Sequence, residues 1–263
     1  MLAKVRRCAA TLAGALVFHS YLYRWFLRRR AVIVLFHRVD DRYPLDPLTR
    51  TQADFERFLA FLARFFRVVT LGELARRIER GESVARHLVI TFDDGYLDNQ
   101  TTAAVALARA GLPACFFITT EFIGSDRVPW WDADAGIRSE WMAWDHVRAL
   151  HQAGFEIGAH TCNHVDLGVV SGHEAQVEIE GSKERLETEL SAPVRFFSYP
   201  YGRRENFTPD NKLLVRDAGF EVCVSAFGGM VAPGADRLAL PRIAISQWFQ
   251  SPYQFGLDAI RTR

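Results

Sequence analysis

The sequence predicts an α/β fold built on a mainly parallel sheet, and three observations carry that reading. Short apolar runs rich in β-branched and aromatic residues recur along the chain, helical patterns separate most of them, and capping or turn residues mark the joints. Alternation of this kind puts crossover helices between parallel strands. Seven strand candidates occur, so seven β/α units closing on themselves give a barrel related to the eightfold kind, with an open doubly wound sheet as the alternative. Either architecture gathers function at the carboxyl ends of its strands.

Residues 1–30 come first and stand apart. Lys4, Arg6 and Arg7 precede an apolar stretch from Cys8 to Phe18, aromatic-rich residues His19 to Leu27 follow with Arg24 among them, and Arg28 to Arg30 close the segment. A spanning helix needs about 20 clean apolar residues, more than this stretch offers. Ala13-Gly14-Ala15 lies inside the apolar run, not after it as a signal-peptide cleavage site would. An amphipathic segment fits the composition, either lying on a membrane through residues 8–27 or packed on the domain. Basic residues flank both ends, so charge bias gives no orientation. The expectation is membrane association, with the cytoplasmic face preferred to export.

Residues 31–263 read as one domain, which a chain of 263 residues with 49% apolar content can support. Strand Val32 to Phe36 opens it, and a loop from Val39 to Thr51 with Pro44 and Pro47 follows. Helix Gln52 to Phe66 is capped by Thr51, and a second helix runs from Gly72 to Glu79. Strand Leu88 to Phe92 leads to helix Leu97 to Ala110, stopped by Gly111, and then to strand Ala114 to Thr119. Residues Glu121 to Glu140 form the longest stretch without a clear pattern and read as a substrate-covering loop. The remaining units are helix Trp144 to Ala153 with strand Phe155 to Ala159, helix Glu174 to Leu190 with strand Val194 to Tyr199, and helix Asp210 to Ala218 with strands Glu221 to Ala226 and Leu240 to Ile245.

Bulk properties exclude some functions. A formal charge of +1 with acidic and basic residues mixed along the chain announces no basic face for nucleic acid. Four cysteines without a C-x-x-C pair argue against a zinc knuckle or a dense disulfide framework, and Cys115 and Cys223 sit in strand-like runs where a buried free thiol is expected.

Chemistry collects at three strand ends. The second strand runs into Asp93-Asp94-Gly95, two adjacent carboxylates that repel unless a cation sits between them. One can then bind metal while the other is poised as a base; a solvated turn capping the next helix is the plain alternative. The fourth strand ends in His160-Thr161-Cys162-Asn163-His164, and one helical turn over this segment would put both imidazoles on one face to share a metal. Thr161 stands where a zincin-type site would carry its glutamate base, so the base must come from elsewhere, and Asp93 fills that gap. The fifth strand ends in Tyr199-Pro200-Tyr201-Gly202, whose tight path can aim the Tyr201 N–H at an oxyanion, although an ordinary Pro-Gly turn reads the same way.

Taken together, Thr91-Phe92-Asp93-Asp94-Gly95, His160 to His164 and Tyr199-Pro200-Tyr201-Gly202 resemble the successive motifs of NodB-type polysaccharide deacetylases, carbohydrate esterase family 4. The resemblance spans roughly Val32 to Ile245. It implies a distorted (β/α)7 barrel, Asp93 as catalytic base, and Asp94, His160 and His164 as ligands of one divalent metal ion, zinc foremost. It also assigns the oxyanion donor to the Tyr201 backbone amide. The implied reaction removes N-acetyl groups from N-acetylhexosamine units of a glycan.

Two departures stand out. The family's late Leu-x-His motif, whose histidine is the general acid, is replaced by Leu240-Pro241-Arg242-Ile243. Leu35-Phe36-His37 occurs instead at the end of the first strand, as in a branch similar to biofilm poly-N-acetylglucosamine deacetylases, and His37 is expected to serve as the acid. Ser198 occupies a position where many relatives carry an arginine paired with the catalytic Asp, and Arg242 is expected to orient Asp93 in its place. Trp130 and Trp131 in the long loop are expected to stack on sugar rings, with Arg203 near the mouth as a further substrate contact. Two other readings remain open: an amidohydrolase or deformylase acting on a cyclic amide or a lipid-linked amino sugar, and a non-catalytic carbohydrate-binding relative.

Overall fold

A computed structural model describes residues 2–43 and 46–262; Pro44 of the predicted loop, Met1 and Arg263 lie outside the described residues. Among the described residues ten α-helices and ten strands follow in order, with a π-helical and a 3-10 turn between them. Helices α1 (Leu2–His19) and α2 (Tyr23–Phe26) precede strand β1 (Val32–Phe36). The short strands β2 (Arg38–Val39) and β3 (Thr49–Arg50) pair in parallel around the first predicted loop. Then come α3 (Gln52–Phe65), β4 (Arg67–Val68), α4 (Leu71–Glu79) and β5 (His87–Phe92). The predicted helix from Leu97 begins as a π-helical turn, Asn99–Ala103, before α5 (Ala104–Ala110) and β6 (Cys115–Ile118). The second half holds α6 (Trp130–Asp134), α7 (Trp144–Gln152), β7 (Glu156–Ala159), α8 (Gly172–Leu190) and β8 (Phe196–Ser198). It closes with α9 (Pro209–Asp217), β9 (Val222–Val224), β10 (Ile243–Ala244) and α10 (Pro252–Arg261).

Local chemistry explains the boundaries. Thr51 accepts the Asp54 N–H at 3.2 Å and Thr70 accepts the Glu73 N–H at 3.1 Å, so each hydroxyl satisfies a donor the first helical turn leaves open. Gly111 ends α5 in the left-handed conformation at φ +65. β1 and β5 are buried along their whole lengths, as parallel strands covered on both faces must be.

Strand order in the large sheet is β10-β1-β5-β6-β7-β8-β9, all parallel, with β4 added at the start of β5 through Arg67 and His87. The sheet curls until its two ends meet. Val224, the last residue of β9, bridges Leu240, just ahead of β10, with the Ser225 N–H reaching the Leu240 carbonyl at 2.9 Å. This single bridge makes the barrel distorted, and it excludes the open doubly wound sheet. Ile33, Val89, Phe117, Val222 and Val224 fill the interior together with Leu71 and Leu74 of α4, while Val32, Val34, Leu88 and Ile90 face the outer helices. Cys115 and Cys223 are buried free thiols, as expected.

Helix α1 packs on α10. A Cβ at Gly14 would collide with the carbonyl of Tyr253, so only glycine lets the two backbones come this close. Phe18 is fully buried and its ring lies 4.7 Å from Tyr23, 4.9 Å from Phe61 and 5.1 Å from Phe65. Among the described residues, no helix is long and apolar enough to cross a membrane.

Candidate active site

The carboxyl ends of β1, β5, β7 and β8 bring the predicted residues into one cleft of about 1070 Å³, lined by His37, Asp93, Asp94, His160, His164 and Tyr201 among others. Asp93 and Asp94 follow β5 directly and are nearly inaccessible. Asp94 takes φ +77 and Gly95 φ +99, a path that turns the two carboxylates in different directions.

One group of ligand atoms among the described residues has the spacing for a cation. The donor atoms of Asp94, His160 and His164 lie within 4.8 Å of one another. Asp94 Oδ1 is 3.4 Å from Nε2 of each histidine. His160 Nδ1 donates to the Ser198 carbonyl at 2.7 Å, which fixes the tautomer and leaves Nε2 free to ligate. Asp94 Oδ1 is buried with no hydrogen-bond partner, an orphaned acceptor that a cation would satisfy. A carboxylate with two imidazoles is a donor set that suits zinc and related divalent ions. The residues present therefore fit the metal.

The His160–His164 segment does not form the helical turn expected for it. Thr161 and His164 adopt φ +61 and +57, and this left-handed backbone brings the rings to 4.9 Å at an interplanar angle of 75°. Glu178 of α8 secures the segment, accepting the Asn163 N–H at 2.8 Å and its side-chain amide at 2.7 Å. Tyr201 is also left-handed, at φ +59. Four non-glycine residues with positive φ thus converge on one cleft, and strain of this kind persists only where the surroundings enforce it.

Arg242, immediately before β10, grips Asp93 with a fork: Nη1 donates to Oδ1 at 2.8 Å and Nη2 to Oδ2 at 2.7 Å. Nη2 also donates to Ser198 Oγ at 2.8 Å, and Ser198 Oγ donates to Asp93 Oδ2 at 3.1 Å. Nε reaches the Ser225 carbonyl at 2.7 Å, so the fully buried guanidinium is satisfied on all sides. Burial would raise the Asp93 carboxyl, but Arg242 and then His160 outweigh it and hold it below the usual carboxylate range. At Asp94 burial is likewise overcome, by the adjacent imidazoles of His160 and His164. Burial lowers His37 despite Asp94 and Asp93 nearby, and lowers His164 to about 4.

The family profile described as Polysaccharide deacetylase matches residues 80–223, over half of the chain. The chain belongs to the polysaccharide deacetylase family. Members of this family are hydrolases acting on carbon–nitrogen bonds. It is 24% identical over 159 residues to YxkH of Bacillus subtilis (strain 168), which covers 60% of this chain and 51% of that protein. The chain thus spans about half the length of that curated relative. Among solved structures it is similar to the deacetylase PplD of Streptococcus pyogenes in complex with acetate, with TM-score 0.74 and 20% identity over 86% of this chain and 96% of that one. It is equally similar to IcaB of Ammonifex degensii, with TM-score 0.74 and 20% identity over 88% and 98% of the two chains. These likenesses show that the fold is the NodB-like distorted barrel.

Within this member of the polysaccharide deacetylase family the remaining predicted residues take distinct places. His37 ends β1 on the cleft wall, its carbonyl accepting the Asn99 side-chain amide at 2.7 Å. The Tyr201 N–H finds no acceptor in the main chain among the described residues. The predicted covering loop does line the cleft, but it contains α6. Trp131 there lies 4.7 Å from the His164 ring and donates Nε1 to the Tyr96 hydroxyl at 2.9 Å. Trp130 is exposed and donates to the Tyr201 hydroxyl at 3.3 Å, whereas Arg203 points largely into solvent with Glu205 4.0 Å away.

Sequence reasoning missed two parts of the cleft. Trp248 and Phe249, with Gln254 and Asp258 of α10, form a wall with no motif of its own. Arg38, next to His37, is almost fully buried; it pairs with Asp132 and donates to Asp46 at 2.6 Å and Thr49 at 2.9 Å. This clamp ties the loop after β1 to the segment that carries Trp130 and Trp131. A charged residue inside a run predicted to be a loop was its only signal in the sequence.

Proposed function

We propose that this chain removes N-acetyl groups from N-acetylhexosamine units of a polysaccharide or glycan precursor, using one divalent metal ion, zinc foremost, held by Asp94, His160 and His164. The observation that carries this reading is a second buried carboxylate, Asp93, kept ionised by the Arg242 fork directly beside a buried trio of ligands. When bound, the metal supplies Lewis-acid stabilisation of developing negative charge and makes water a better nucleophile near neutral pH. Asp93 accepts the proton of the attacking water at Oδ1, which takes one hydrogen bond, from Arg242, and retains a free lone pair, whereas Oδ2 is occupied by Arg242 and Ser198. The Tyr201 N–H donates to the oxyanion that forms at the acetamide carbonyl. His37, which follows β1 on the strand paired with β5, gives a proton to the departing amine nitrogen. Trp130 offers an exposed ring face to a pyranose, Trp131 stiffens the wall behind it, and Arg203 reaches the glycan only at the rim.

The test is acetate release from chitin oligomers, poly-N-acetylglucosamine and lipid-linked amino sugars, before and after chelation. Acetate release that chelation abolishes, zinc restores and Asp94→Ala eliminates supports the reading. Full turnover after thorough chelation removes the metal from it, and formate as the product converts the enzyme to a deformylase.

A further inference from the structure

The inner face of α1 is used up by folding: Gly14 and Phe18 dock it on α10 and the aromatic cluster of α3. Its outer face is not. Leu12 and Leu16, one turn apart, are each 71% exposed, and Tyr21, Leu22, Trp25 and Phe26 continue the exposed apolar surface into α2. The charge within this segment has a single sign, because no Asp or Glu occurs before Asp40 while Arg6, Arg7, Arg24, Arg28, Arg29 and Arg30 all lie in it. Two of these arginines stack on the exposed rings, Arg24 at 4.6 Å from the Tyr21 centroid and Arg28 at 4.9 Å from that of Trp25.

We propose that this face docks the protein on an anionic phospholipid surface without crossing it. Exposed leucine and aromatic side chains with guanidinium groups beside them match the boundary between acyl chains and headgroup phosphates. The arginines meet opposite charge at phosphates, and their aliphatic stems let them reach the headgroups while the rings sink deeper. A second copy of the chain is a poorer occupant, since pairing two such faces sets like charges against each other. Helix α10 carries α1 on one side and contributes Gln254 and Asp258 to the cleft wall, so a docked molecule holds its cleft one helix away from the lipid. The inference is independent of the chemistry proposed for the cleft.

Co-sedimentation of the full chain with vesicles of phosphatidylcholine alone, or of phosphatidylcholine mixed with phosphatidylglycerol, tests it. Binding to the mixed vesicles is expected to be more than about tenfold tighter and to weaken as salt rises. Leu16→Glu combined with Trp25→Glu should lose the binding with thermal unfolding unchanged. Bromine-labelled acyl chains should quench tryptophan fluorescence in the native chain, and Trp25→Phe should remove that quenching while keeping the fold. Three results would overturn the proposal: no vesicle binding, equal binding to neutral and anionic vesicles, or lipid-free self-association that the same Glu substitutions abolish.

Discussion

At Asp93 both carboxylate oxygens accept hydrogen bonds from one guanidinium, so the plane of the carboxylate is set by a residue that reaches it from the far end of the chain. Arg242→Ala is expected to lower kcat by about 100-fold, because a misplaced base is costly even when it stays ionised. Arg242→Lys should recover only part of that loss, since an ammonium cannot fork across two oxygens. Steady-state kinetics on a substrate that releases acetate checks both, and an unchanged kcat in Arg242→Ala removes the residue from the mechanism. The ligands and the carboxylate pair were legible in the sequence because short motifs end strands. Ser198 looked like a gap because its meaning depends on Arg242, a neighbour across the barrel. In the structure the serine makes room for the guanidinium and hydrogen-bonds to both partners of the ion pair. Left-handed residues such as Thr161 and His164 carry no signature in a single sequence, so the route by which two imidazoles meet was misread as a helical turn.

Strands of the barrel announce themselves through apolar runs that need no knowledge of their neighbours, and every predicted strand overlaps an observed one. Helix α10 does not. Pro252 and Gly256 interrupt its sequence pattern, and the surface that calls for it belongs to α1, more than 230 residues earlier in the chain. Gly256, a poor helix former, is tolerated because a Cβ there would strike Phe18 and Phe61, so the glycine serves the packing. Phe18 therefore belongs to the core of the domain. Phe18→Ala is predicted to destabilise the protein by about 3–5 kcal/mol, the usual cost of emptying a buried phenylalanine site. Denaturant unfolding followed by circular dichroism measures it, and a change within experimental error would mean that α1 contributes nothing to the core in solution.

On the scale of the whole molecule, an apolar barrel interior supports a cleft in which carboxylates and imidazoles are stripped of water together. The cost extends one layer out, to Asp98. Burial pushes its carboxyl up to about 7, although the Val39 N–H donates to Oδ1 at 2.8 Å and Asn99 to the same oxygen at 3.0 Å. An unfolded chain releases that proton near pH 4 while the folded protein keeps it to about 7, so the unfolded state binds fewer protons across this interval. The Asp98 contribution is fully present below the lower limit and is lost as pH rises, at about 1.4 kcal/mol per pH unit. Asp98→Asn keeps an acceptor for Val39 and abolishes this slope, so its melting temperature should exceed that of the native chain at pH 8 and approach it at pH 4. Thermal scans across that range decide the matter, and parallel curves for the two proteins would show that Asp98 is ionised in the fold.

The clasp between α1 and α10 also has a consequence for synthesis. During translation the α10 residues that receive Gly14 do not exist until the ribosome has passed position 252, so the first helix emerges long before that partner. Throughout that interval the outer face and the surface that meets α10 are bare, and whatever shelters a nascent hydrophobic helix first, chaperone or bilayer, meets this one before the barrel has closed.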